Sequence, residues 1–365
     1  MNGGVSMTEQ SSAQPGIRFL ITAAALVIII AGIYSAQSVL ASFLVAVFLA
    51  ILGTPPVLWL ERKRVPSFVA VLLVVAGMIV ILLIVATIVG ASVNRFYTGF
   101  PAYQALFQQQ VEIFQSYLAA NNVRIQGLNN ILLGYVNPET VLSLTARLFA
   151  ELGTALSNIF LILLTVAFIL FEASSFPFKL RAILGNPQQT FPEFTRFVAS
   201  IERYMLIKTL ISLATGVLIG TWLFFLGVEF PILWGFLAFL LNYVPSIGST
   251  VAAIPAVLLA FIQLGTGHAL MAAAGYMAVN FFLDNVIEIK LMGRKLGLST
   301  LVVFLSLLFW GSLLGPVGMV LCIPLTMTVK FACENNAGTQ WIAVLLGPRS
   351  LTEIPPLAAG RRKND

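Results

Sequence analysis

The stretch Pro66-Ser-Phe-Val-Ala-Val-Leu-Leu-Val-Val-Ala-Gly-Met-Ile-Val-Ile-Leu-Leu-Ile-Val-Ala-Thr-Ile-Val-Gly-Ala-Ser92 carries no charge, and it is bracketed by Arg62, Lys63 and Arg64 on one side and Arg95 on the other. As a helix it reaches about 40 Å, more than the roughly 30 Å of a bilayer's hydrocarbon core. Hydrocarbon offers the backbone no hydrogen-bond partner, so such a run must close its bonds within itself and is read as a transmembrane helix. Four more runs meet or approach the same standard: residues 19–36, 38–60, 154–172 and 205–227. The first is too long for the apolar core of a signal peptide, and hydrophobic sequence resumes at Val39.

Composition agrees. Of 365 residues 59% are hydrophobic and 9% charged, with a mean hydropathy of +0.97, whereas about a quarter of an ordinary globular chain is charged. The net charge of +6 lies in short blocks between apolar runs, which fits membrane topology and argues against a nucleic-acid partner. Cys322, Cys333 and the single His268 exclude a disulfide framework and are too few for a metal centre of three or four ligands. No nucleophile, base and orienting acid can be assembled from one His, and no phosphate-binding loop or zinc-protease motif occurs. We therefore expect no catalytic residues, no metal and no cofactor: a protein that is not an enzyme.

Beyond Gly227 the apolar pieces shorten to residues 231–244, 249–264, 268–286, 299–313 and 316–332. Pieces of 14 to 16 residues cover only about 21–24 Å, so they read as broken helices, re-entrant hairpins or short tilted spans. The fold expected is an all-α polytopic transmembrane protein whose C-terminal half holds broken or re-entrant helices. Its organisation reads as a disordered N-terminus (1–16), three spans (17–92), an extracytoplasmic amphipathic helical segment (93–153), a fourth span (154–172), a cytoplasmic amphipathic segment (173–204), a core of Pro/Gly-broken hairpins (205–333) and a tail (334–365). Placing both termini in the cytoplasm puts 17 of the 20 Lys and Arg inside, leaving Arg95, Arg124 and Arg147 outside.

Local signals refine this. Tyr103, Leu106, Phe107, Phe114, Tyr117 and Leu118 recur at helical spacing, and Asn137 followed by Pro138 reads as a helix start. Thr190 and Glu193 have capping-box spacing ahead of Phe194, Phe197, Val198, Ile201, Tyr204 and Met205. Trp234-Gly235, Pro245 to Gly248 and Ile254-Pro255 are echoed by Trp310-Gly311, Gly315-Pro316-Val317-Gly318 and Ile323-Pro324. Pro255, Gly315, Pro316, Gly318 and Pro324 are accordingly expected as helix breaks, since proline removes a helical bond and glycine frees the backbone. Opposed broken helices are a common way to build a transport site at mid-membrane.

Polar residues point to the same region. Asn280, Asp284 and Glu288 fall on one helical stripe, with Asn285 beside them. An ionised Asp at the bilayer centre costs about 2.5–3.5 kcal/mol, so Asp284 should face a cavity, pair with a cation or carry a proton. Glu288, two residues from Lys290, reads equally as an interfacial residue. Asn242 and Tyr243 offer hydrogen bonds ahead of the Pro245–Gly248 break. The candidate substrate and translocation residues are thus Asn242, Tyr243, Pro245, Gly248, Asn280, Asp284, Asn285 and Glu288. Lys208 is expected to snorkel to the cytoplasmic surface and His268 to be solvated.

Leu233-Trp-Gly-Phe-Leu-Ala-Phe-Leu-Leu-Asn-Tyr-Val-Pro-Ser-Ile-Gly248, Met292-Gly-Arg-Lys-Leu-Gly-Leu-Ser-Thr-Leu-Val-Val-Phe-Leu-Ser306 and Trp310-Gly-Ser-Leu-Leu-Gly-Pro-Val-Gly318 resemble the autoinducer-2 exporter family of bacterial inner-membrane proteins, over about residues 17–345. The resemblance implies export of a small, polar, hydroxylated quorum-sensing signal. It also implies homo-oligomers, pentamers among them, while other branches of the family are linked to exchange of sodium or lithium for protons. The family pattern places a proline after the glutamate, where this chain has Ile289 after Glu288. Three readings follow: an exporter in which Asp284 or Glu288 binds a coupling proton or cation, a sodium(lithium)/proton antiporter, and a passive pore or oligomeric membrane scaffold.

Overall fold

Leu-, Ile-, Val- and Ala-rich runs satisfy their own backbone only as helices, and the computed structural model is built accordingly. It describes residues 15–120, 159–184, 192–245, 247–292, 297–335 and 338–347, and among these there are helices and turns but no strand. In chain order the helices are α1 (Pro15–Ser35), α2 (Gln37–Arg62), α3 (Ser67–Ala120), α4 (Ile159–Leu184), α5 (Pro192–Phe225), α6 (Pro231–Leu241), α7 (Gly248–Leu264) and α8 (Thr266–Phe282). After α8 come one π-helical stretch (Leu283–Glu288), α9 (Ile289–Met292), α10 (Thr300–Glu334) and α11 (Gln340–Leu346). Among the described residues five stretches are long and apolar enough to cross a membrane: Gln37–Arg62, Ser67–Phe96, Phe194–Phe225, Thr266–Glu288 and Thr300–Glu334.

Packing divides the helices into two groups. Ala46, Ala50, Val57, Ala70, Val71, Val166 and Leu170 form the core shared by α2, α3 and α4. Ile219, Leu223, Trp234, Leu237, Ala252, Ala256, Ala272 and Tyr276 form the core of α5 to α8. A third cluster joins the groups, setting Tyr204 and Met205 of α5 against Leu307, Leu321, Cys322 and Ile323 of α10, with Phe48 and Ile51 of α2 packed on it. The outward faces of α3 and α5 remain apolar, as at Phe68, Leu72, Ile81, Leu210 and Phe225, which suits contact with lipid.

Three helices run past the boundaries expected from sequence, α4 reaching Leu184 instead of residue 172. α3 continues through Pro101 to Ala120 instead of ending near residue 92, so Tyr103, Leu106 and Phe107 extend the third span and do not start a separate segment. Aromatic contacts fasten this extension: Phe96 stacks on Tyr103 at 5.8 Å and meets the Trp234 ring edge-on at 6.1 Å. α5 likewise joins the expected amphipathic segment to the fifth span as one helix. Asn137, Pro138, Thr190, residues 1–14 and residues 348–365 lie outside the described residues, as do the side chains of Phe114, Tyr117 and Leu118, while the expected C-terminal tail carries the short helix α11.

The C-terminal half contains two chain reversals. α6 lies antiparallel on α5, and at their crossing a Cβ on Gly235 would stand 2.6 Å from the Gly216 carbonyl oxygen; small residues let membrane helices approach this closely. The chain then turns back through residues 242–247 into α7. α10 is continuous by its hydrogen-bond pattern, but Gly315 has φ 65° and ψ −149°, and the Thr326 hydroxyl donates to Ser306 Oγ at 2.8 Å. In a straight helix those residues would be about 30 Å apart. α10 is therefore a hairpin with arms of residues 300–314 and 316–334, reversing at one of the Pro/Gly clusters. The same device closes both reversals: a Cβ on Gly248 would overlap the Leu241 carbonyl oxygen, and one on Gly318 that of Trp310.

Pro255 and Pro324 do not act as breaks. Each lies inside a helix that continues past it, at the loss of a single backbone hydrogen bond. The first hairpin opens beside Gly265, before α8, and the second beside Gly297, beyond the π stretch and α9. They enter from opposite ends of α8.

Candidate functional site

α5 supplies the buried polar surface. Tyr204, Lys208, Ser212 and Thr215 follow one another at helical spacing and are each at least nine-tenths buried. Lys208 Nζ donates to Glu288 Oε2 at 2.9 Å, and the two side chains are 8% and 20% exposed. The expected snorkelling of Lys208 is thus corrected: its ammonium turns inward because Glu288 on the neighbouring helix offers a carboxylate that the apolar surroundings would otherwise strand. Breaking such a pair by removing one partner costs about 3–5 kcal/mol.

The same face of α5 holds the first hairpin. Asn242 Nδ2 donates to Ser212 Oγ at 3.1 Å, and the Tyr243 hydroxyl donates to Thr209 Oγ1 at 2.9 Å. The Tyr243 ring meets Phe48 of α2 edge-on at 5.6 Å. Three consecutive contacts along α5, at Lys208, Thr209 and Ser212, therefore bring together two sets of residues that the sequence placed far apart: Asn242 and Tyr243 with Glu288.

The stripe on α8 extends further than its sequence motif. Tyr276 precedes Asn280, Asp284 and Glu288 by the same four-residue step. The helix widens to π geometry over Leu283–Glu288, a local form often found at functional sites. Asn280 Oδ1, Asp284 Oδ1 and the Tyr276 hydroxyl are buried and have no hydrogen-bond partner in the protein. Buried polar atoms are nearly always partnered, and three of the four such atoms among the described residues fall on this stripe, the fourth being Gln263 Nε2. Asp284 also lies within electrostatic reach of both Lys208 and Glu288.

Other predicted residues are placed differently. Asn285 is exposed, Pro245 half-buried and Gly248 buried in the first reversal; Pro316 is exposed and Gly318 and Pro324 are buried in the second. Within the second hairpin Trp310 Nε1 donates to Thr326 Oγ1 at 3.0 Å, and Thr326 donates on to Ser306. A groove of about 330 Å³ between α2 and α5, lined by Thr54, Trp59, Arg62 and Glu202 among others, includes none of these polar residues. Among the described residues no group of three His, Cys, Asp or Glu side chains could hold a metal ion.

Sequence reasoning missed Lys208, Thr209, Ser212 and Tyr276. Their signal was present as polar residues recurring on the face of α5 that also carries Gly216, and as a tyrosine in register with Asn280.

A family model described as AI-2E family transporter matches residues 23–337. The chain is 39% identical over 331 residues to the AI-2 transport protein TqsA of Escherichia coli (strain K12), covering 91% of this chain and 96% of that protein. It is 37% identical over 341 residues to YhhT of the same organism, covering 93% and 97%, a protein whose name carries no substrate. A Haemophilus influenzae protein is 35% identical over 334 residues, covering 90% and 96%.

Proposed function

The chain belongs to the AI-2E transporter family, and from that membership we propose that it is a secondary carrier that exports autoinducer-2, a small polar signal, across the bacterial inner membrane with both termini in the cytoplasm. The substrate rests on the name of the E. coli relative TqsA; the orientation rests on the Lys and Arg distribution. One observation of the site carries the mechanism: Asn280 and Asp284 each bury an oxygen without a protein donor, beside the Lys208–Glu288 pair. In the cycle we infer, Asn242 and Tyr243 exchange their bonds to Ser212 and Thr209 for bonds to the cargo. Asp284 takes up a proton or monovalent cation, and the opposed hairpins rock about α8 to expose the site to either face.

Reconstitution of the full chain in liposomes, with autoinducer-2 as the probe and defined pH and sodium gradients, tests this. Asp284→Asn should reduce gradient-driven flux by at least about tenfold, the scale of one charge-assisted hydrogen bond. Undiminished flux at equal protein content would refute the coupling role. The antiporter reading uses the same carboxylate and predicts proton release on adding sodium or lithium, with no flux of the signal. The passive-pore reading predicts flux that follows the solute gradient alone.

A further inference from the structure

We propose that Lys208 is a resident counter-ion that cancels Glu288 and leaves Asp284 as the one uncompensated charge among the described residues of this cluster, so that each transport cycle takes up a single proton or monovalent cation. The proposal rests on the carrier reading above and specifies its coupling.

The geometry provides one cation facing two carboxylates. Lys208 Nζ is 2.9 Å from Glu288 Oε2, and both side chains are largely buried. Asp284 lies on the same stripe, four residues before Glu288 in the π stretch, and its Oδ1 accepts no hydrogen bond from the protein. The π stretch that carries both carboxylates touches α5, as do α8 and α9.

Among the described residues, the other titratable groups facing the cluster are Tyr204 on α5, Tyr243 just beyond α6 and Cys322 on α10, all neutral in their ordinary states. Arg203, which donates to the Leu291 carbonyl, and Lys290 are exposed, where water and salt screen them. A lone negative charge in an apolar core is neutralised or paired. With Lys208 engaged by Glu288, that compensation must enter with the transported species or in exchange for it. Glu288 is thereby a fixed partner of Lys208, and the coupling role falls to Asp284 alone.

The test is a reversal-potential measurement on the full chain in liposomes under a potassium–valinomycin clamp, with autoinducer-2 as the neutral probe. The wild-type protein should move one charge per molecule of probe. Glu288→Gln should move none, because Lys208 then balances Asp284; this variant leaves no unpaired buried charge and is expected to insert normally. Lys208→Gln should lose the one-charge stoichiometry, and Lys208→Gln/Glu288→Gln should recover it, a rescue that a purely structural ion pair would not produce. Coupled wild-type flux with Glu288→Gln still carrying one charge overturns the charge count while leaving the carrier reading intact. Wild-type flux indifferent to every ion gradient overturns both.

Discussion

At the scale of single residues, Tyr103 shows how far the third helix reaches beyond its span. Its hydroxyl donates to Glu229 Oε2 in the segment between α5 and α6, and Gln263 Oε1 accepts from the Glu229 backbone N–H at 3.1 Å. Burial first, then the bond to Glu229 and then that carboxylate's charge raise the phenol above its ordinary value. A raised folded pKa contributes stability that is complete below the unfolded value, about 10 for tyrosine, and is lost as pH climbs through the folded one. Thermal unfolding in detergent between about pH 9 and 12 should therefore fall more steeply for the wild-type protein than for Tyr103→Phe. At neutral pH the substitution should cost about 1 kcal/mol, a modest figure because Glu229 is exposed. Parallel pH profiles would contradict the assignment. Lys208 marks the limit of reading at this scale: the sequence shows a cation a few residues into a span, but its partner lies 80 residues away, and periodicity assigns faces without saying which faces meet.

At the scale of elements, the Pro/Gly clusters were legible as reversals because a helix broken inside hydrocarbon must be sheltered, and both clusters do contain a turn. Proline alone was a poor guide, since the helix continues through both Pro255 and Pro324. What distinguishes the true turns is glycine. Gly315 adopts φ 65° with ψ −149°, a backbone state nearly reserved for glycine, and Gly318 lies against the Trp310 carbonyl. Gly315→Ala should therefore cost about 1–3 kcal/mol, and Gly318→Ala, which collides with backbone, should cost at least as much. Gly77, in mid-α3, supplies the control. A Cβ there meets nothing within 4 Å, so Gly77→Ala should be neutral or stabilising by up to about 1 kcal/mol. The comparison is read as unfolding temperature of the purified protein; equal losses at Gly77 and Gly318 would mean that the hairpin contact is not what the glycine protects. The boundaries at α3 and α5 were illegible for a different reason. Apolar length measures how much helix hydrocarbon can hold, not where the helix ends, and contacts such as Phe96 with Trp234 dock α3 beyond its apolar run.

At the scale of the whole molecule, the decisive question is how many times α10 crosses the membrane. Length and composition alone make Thr300–Glu334 one span, and a straight helix of that size would measure about 52 Å. The folded chain argues otherwise. Lys330 Nζ donates to the Gly297 carbonyl at 2.7 Å and the Ser299 amide donates to the Leu346 carbonyl at 3.1 Å, so both ends of α10 meet at one level. The first hairpin is held in the same way at its base, where Glu229 and Gln263 bond, and that base lies at the other end of α8. With Cys322 and Cys333 replaced by serine, Ser299→Cys and Asn335→Cys should react with an impermeant thiol reagent from the same side of sealed vesicles, and Glu229→Cys from the opposite side. Labelling of Ser299→Cys and Asn335→Cys from opposite sides would make α10 a single crossing. Such a crossing would place Ser306 and Thr326 about 30 Å apart, remove the opposed pair of hairpins, and leave Asp284 and Asn280 without the two-sided access that a carrier requires.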